Sequence, residues 1–139
     1  MKPNLILHVV AKFLIPLIIV FSLYVQFHGD FGPGGGFQAG VIFSAAFILY
    51  ALVFGLDAAE KIIPSQWLHK LAALGLVMYA GVGVVTLLLG GNYLDYTVLG
   101  ATQIAGQHLG ILLVELGVGI TVGAVMLIIF FAFAGRGRT

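Results

Sequence analysis

Four stretches of almost unbroken apolar residues dominate the chain, at about 5–27, 38–56, 68–89 and 108–134. A helix needs about 20 mostly apolar residues to cross the hydrocarbon of a bilayer, so each stretch predicts a membrane span. The segments between them read HGDFGPGGGF, DAAEKIIPSQW and GGNYLDYTVLGATQIAGQ. They hold the Gly, Pro, Asn and Asp residues that end helices. The expected architecture is all-α, a single four-helix transmembrane domain over 1–139. The first apolar stretch follows Lys2 as in a signal peptide. It lacks a small-residue cleavage site and is too long for a signal core, so it reads as a retained span.

Composition agrees with the pattern. Hydrophobic residues make up 61% of the chain and charged residues only 8%, against about 25% charged in soluble domains. Lipid is therefore the solvent for most of the surface, and a nucleic-acid partner is not expected. The absence of cysteine excludes disulfides, thiol chemistry and thiolate metal sites. The placement of the cations says more than the net charge of +1. Lys2 and Lys12 lie toward the N-terminal end, Lys61 and Lys70 flank the middle connection, and Arg136 and Arg138 follow the last span. The other two connections carry neither Lys nor Arg. Basic residues favour the cytoplasmic side, which predicts cytoplasmic termini and places the glycine motif outside.

The run Gly34, Gly35, Gly36 does not have the chemistry of a phosphate loop. Such a loop needs a Lys and a hydroxyl residue after its glycines, and here Phe37 and Gln38 follow. A structural role fits better. Pro33 stops the first helix, Gly34–Gly36 permit a tight turn and close backbone approach, and the second helix starts near Phe37. His28 and Asp30 are proton or cation contacts in one reading and solvated surface groups in the other. The third and fourth spans are rich in glycine, at Gly75, Gly81, Gly83, Gly110, Gly117, Gly119 and Gly123. Small faces let helices approach closely in lipid, which predicts contacts within this unit, with other chains, or both.

The ionisable residues inside the spans are the candidate functional groups. Glu115 is expected about two turns inside the fourth span. An acidic residue at a span centre costs about 2.5–3.5 kcal/mol on insertion scales and is a functional candidate by default. His108 precedes it by seven residues, on nearly the same face and about 10 Å away along the axis. That separation suits a water-linked relay and not a shared metal ion, so no metal site and no cofactor are expected. In the first span, Lys12 either extends its ammonium to the interface or pairs with a carboxylate of another subunit. The alternative for Glu115 is a buried tie between helices.

Residues 28–40 together with GQHLGILLVELGVGIT, Gly106 to Thr121, resemble the MnhB/MrpB family, small membrane subunits of the multisubunit cation/proton antiporters of the Mrp or Mnh type. The shared signature is P-G-G-G-F, here Pro33, Gly34, Gly35, Gly36 and Phe37, and the similarity extends over nearly the whole chain. The family often carries Gly-His ahead of this proline; here Gly29 is followed by Asp30, with a histidine earlier at His28. The resemblance implies a hetero-oligomeric complex in a bacterial plasma membrane that takes up protons and exports sodium or another monovalent cation. This chain is then an auxiliary subunit and not an enzyme, with Glu115 at the family's acidic position in the last span. Two other readings stay open: a structural subunit of a redox-driven assembly related to complex I or to membrane-bound hydrogenases, and a stand-alone small multidrug transporter.

Overall fold

The computed structural model describes residues 5–29 and 34–137. Asp30 and Pro33 of the candidate site, and Lys2 and Arg138 of the charge pattern, lie outside the described residues. The fold is all-helical across them. α1 (Leu5–His28), α2 (Gly36–Phe54), α4 (Ser65–Leu88) and α5 (Gln103–Ala134) are each long and apolar enough to cross a membrane. A short α3 (Leu56–Ile62) follows α2, and turns of 3-10 helix occupy Tyr96–Leu99 and Gly135–Gly137.

The boundaries differ from the apolar pattern for identifiable reasons. The second span ends at Phe54 and not near residue 56, because Gly55 takes φ 98° and breaks the helix. The DAAEKI segment, read as a connection, forms α3, with Asp57 in its first turn and Lys61 in its last. This arrangement complements the helix dipole. α4 starts at Ser65, directly after the extended Pro64. α5 starts five residues before the expected position, since the Thr102 side chain accepts from Ala105 N–H at 3.2 Å and caps it. At 32 residues α5 is about 48 Å long, more than the ~30 Å hydrocarbon core. Its polar first turns, with Gln103, Gln107 and His108 exposed, account for the excess.

α5 is the central element. It packs along both α2 and α4, while α1 lies on α2 and meets α5 only sparingly. Glycines decide how closely the helices approach. A methyl group on Gly40 of α2 would stand 2.7 Å from the Gly119 carbonyl of α5, and one on Gly75 of α4 would strike the Thr121 hydroxyl. Gly81, by contrast, faces open space with nothing within 4 Å. The small faces of α5 are therefore used within this chain. An apolar core of Ala51, Ala59, Leu68, Ala124, Leu127 and Phe131 closes the α3 end of the bundle.

Hydroxyl groups inside the spans bond to helix carbonyls, as lipid requires. Ser22 donates to Ile19 O at 2.7 Å and Ser44 to Val41 O at 2.8 Å. Thr121 donates to Gly117 O at 2.9 Å and lies 3.4 Å from Ala72 O of α4. The fully buried Thr86 donates to Gly83 O and accepts from Leu94 N–H at 3.0 Å, which ties the connection after α4 back onto its own helix.

Candidate functional site

Glu115 sits twelve residues into α5, about 18 Å from its start. It is more than three turns in, deeper than the two expected, because the helix begins early. Its side chain is partly buried. Gly29, at the end of α1, and Gly35 and Gly36, at the start of α2, lie against it. A methyl group placed on Gly29 would stand 2.6 Å from Glu115 Oε1 and 2.7 Å from Oε2, and one on Gly35 would stand 2.9 Å from Oε1. A methyl on Gly36 would collide with the Glu115 backbone carbonyl. Gly29 and Gly35 thus lie directly against the carboxylate, and Gly36 lies against the backbone of the same residue.

The local backbone explains how. Gly35 takes φ 120° and ψ −179°, a region essentially reserved for glycine. Its N–H donates to Val25 O at 3.2 Å, and its carbonyl accepts the first helical bond of α2 from Ala39 N–H at 3.0 Å. The chain is thereby tied to α1 on one side and opens α2 on the other. The Glu115 carboxylate lies beside this helix start, where the first N–H groups lack helical partners and the dipole favours negative charge.

One turn deeper, the Gln26 side chain of α1 occupies the notch left by Gly119, its Oε1 where a methyl group would be. Gln26 is 6% exposed, and among the described residues its Nε2 has no hydrogen-bond partner. Neither Gln26, Gly29 nor Gly119 was singled out as a site residue from the sequence. Ser22 and Gln26, four apart in an otherwise apolar span and both buried, are the signal that marks this face.

The remaining sequence candidates are spread out. His28 stacks on Tyr24, centroids 5.1 Å apart, in the last turn of α1. Phe37 is exposed at the start of α2. His108 is exposed on α5, about 10 Å along the axis from Glu115. Lys12 is exposed, with Nζ 6.0 Å from the Phe54 ring centre. It lies fourteen residues, about 21 Å, along α1 from Gln26, so the two membrane charges Lys12 and Glu115 belong to opposite ends of the bundle. Among the described residues no three His, Asp or Glu side chains gather as a metal site.

Beyond the site, the connection from 89 to 102 carries its own polar anchor. The Thr97 hydroxyl and N–H donate to Asp95 Oδ1 at 2.5 and 3.2 Å, and they hold the Asp95 carboxyl below its ordinary value. The Tyr96 ring packs where Gly110 of α5 lacks a side chain. Burial, with Tyr79 nearby, raises the phenol above its ordinary value.

Residues 6–128 match the family model described as a domain related to the MnhB subunit of Na+/H+ antiporter. Several relatives align over most of their length. The antiporter subunit mnhB2 of Staphylococcus haemolyticus is 33% identical over 143 aligned positions, covering 97% of this chain and 98% of its own. The B subunit of the Na+/H+ antiporter of Alkalihalophilus pseudofirmus is 32% identical, over 86% of this chain and 89% of its own. The corresponding B subunit of Bacillus subtilis is 30% identical, over 86% and 90%. With a family match across most of its length and relatives at this level of identity, the chain belongs to the MnhB-related family of antiporter subunit domains.

Proposed function

We propose that this chain is an auxiliary subunit of a multisubunit monovalent cation/proton antiporter in a bacterial plasma membrane, and that Glu115 is its proton-binding group. The carrying observation is the seat formed on the Glu115 carboxylate by Gly29 and Gly35. A carboxyl in a span is costly, and here Gly29 and Gly35 pack against it beside the start of α2. An ionised carboxylate only accepts hydrogen bonds, whereas a protonated one also donates. Gain or loss of a proton therefore changes how Glu115 holds the α1–α2 connection. Family membership supports a subunit over a stand-alone multidrug transporter, and the names of the relatives supply the exchange of Na+ for protons. Within this reading Lys61, Lys70 and Arg136 lie at the cytoplasmic end of the bundle, Lys12 sits inside α1 toward that same end, and the glycine connection lies outside.

The same packing favours a second reading, in which Glu115 ties α5 to the α1–α2 connection without titrating. Glu115→Gln, made in the complete complex, separates the two. Cation-driven proton movement is assayed in inverted vesicles and normalised to assembled complex on a native gel. The proton-binding role predicts assembly at wild-type level with antiport lowered at least ~10-fold, as for loss of an acid–base group. Lost assembly identifies a tie. Normal antiport with normal assembly rejects both.

A further inference from the structure

The helices of the bundle do not end at one height. Gly29 and Gly36 pack against Glu115, so α1 ends and α2 begins at the level of that residue. α4 continues past it. A methyl group on Gly117 of α5 would stand 2.8 Å from Gly75 O and 3.2 Å from Tyr79 N of α4, and from Tyr79 the helix runs on to Leu88, about 13 Å further. Glu115 is two residues, about 3 Å, above Gly117. α4 therefore stands about 10 Å taller than the Glu115 seat.

The added length is membrane length. Val84, Val85, Leu87 and Leu88 are all exposed, an apolar surface that calls for hydrocarbon around it. The Tyr93 and Tyr96 rings pack on Gly83 of α4 and Gly110 of α5 toward this end, and amphipathic rings of this kind mark the membrane interface. The start of α2 thus lies about a third of the way into the ~30 Å hydrocarbon core. Non-helical backbone is tolerated at such depth only where protein buries it or where it lines water. Gly35 and Gly36 are buried, but Gln38 in the same turn is exposed. The N–H groups of Gly36, Phe37 and Gln38 also precede the first helical bond of α2, from Ala39 N–H to Gly35 O.

Polar groups line this step. A methyl group on Gly35 would stand 3.7 Å from Gln38 Oε1 and 2.9 Å from Glu115 Oε1, so the amide and the carboxylate share one seat. An amide exposed to hydrocarbon is costly. On α5, Leu112 and His108 continue the Glu115 face toward the start of the helix, and both are exposed. We propose that the step is a water-filled recess, open on the same side of the membrane as the connection after α4, that leads past His108 and Gln38 to the Glu115 carboxylate. Glu115 then exchanges its proton with the solution on that side. What the water carries rests on the reading of Glu115 given above; the recess does not.

The chain has no cysteine, so hydration can be read with single thiols in the complete complex on intact cells. A charged, membrane-impermeant thiol reagent is attacked by the thiolate, which forms in water and not in apolar surroundings. Gln38→Cys and Leu112→Cys should react within about tenfold of the rate of Asn92→Cys, in the connection after α4. Val84→Cys and Val85→Cys, exposed on α4 and nearer its outer end, should react at least ~100-fold more slowly. Slow reaction of Gln38→Cys or Leu112→Cys in assembled complex overturns the proposal, whether lipid or a partner chain covers them. Rapid reaction of Val84→Cys and Val85→Cys also overturns it, because the bilayer would then end below them. The antiport assay of Glu115→Gln is a separate result. Normal antiport there removes the proton and leaves the recess, whereas slow labelling here removes the recess and leaves the proton-binding role.

Discussion

At Gly29 and Gly36 the same substitution has two different consequences. A methyl group at Gly29 meets only the far end of the Glu115 side chain, which can swing away. One at Gly36 meets the Glu115 backbone carbonyl, which cannot. Gly29→Ala should therefore leave the complex assembled, cost about 1 kcal/mol of stability, and reduce antiport by displacing the carboxylate. Gly36→Ala should cost about 2–3 kcal/mol and lower the amount of assembled complex on a native gel. A thermal-unfolding cycle of Gly29→Ala with Glu115→Ala checks the contact. The two residues should couple by about 0.5–1 kcal/mol, and simple additivity would show that the carboxylate does not occupy the seat. Of this arrangement, the sequence made Glu115 and the glycine run legible as separate features. Their contact was not legible, because more than 70 residues separate them and no local pattern records a long-range approach.

Among the elements, α5 depends on glycine where it crosses α2 and α4. Gly40→Val would press into the Gly119 carbonyl of α5 and should lower the unfolding midpoint in detergent by the equivalent of about 2–3 kcal/mol. Gly81→Ala, facing open space, should be neutral or stabilise by up to about 1 kcal/mol through helix propensity. Equal effects of the two would remove the packing account. The connection from 89 to 102 makes a pH prediction. The Tyr96 phenol is raised above 10.0 in the folded state, so folding favours its neutral form. Its contribution is complete below pH 10 and declines as pH rises through the folded value. Tyr96→Phe should remove a phenol that ionises above pH 10 from the ultraviolet titration and flatten the fall in unfolding midpoint at high pH. Asp95 has the opposite sign: lowered by Thr97, its contribution is present above pH 3.8 and is lost in more acidic solution.

For the whole molecule, the orientation proposed from the positions of the cations can be tested by labelling. The native chain has no cysteine, so single introduced thiols report without background. Asn92→Cys, in the connection after α4, should react with a membrane-impermeant thiol reagent on intact cells. Gln66→Cys, at the start of α4, should react only after permeabilisation. The reverse pattern would invert the proposed topology and place the Glu115 seat toward the cytoplasm. Assembly belongs to the same scale. Much of α1 is exposed in the isolated chain, including Ile6, Phe13 and Val20, and α1 touches the centre of the bundle sparingly.

The amino-acid sequence by itself determined the four membrane helices and their order, because hydrophobic length is a property of consecutive residues and lipid leaves the backbone few alternatives to a helix. It also determined the family, through Pro33–Phe37 and the acidic last span. Helix ends were less visible, since a Thr102 cap, a left-handed Gly55 and the charge order of a seven-residue α3 outweigh the apolar pattern at its margins. The tertiary structure decided which helix each glycine meets. Small residues permit close approach along any face and specify a partner only when another backbone arrives there. It alone brought Gly29 and Gly35 onto Glu115, and set Gln26 beside Gly119.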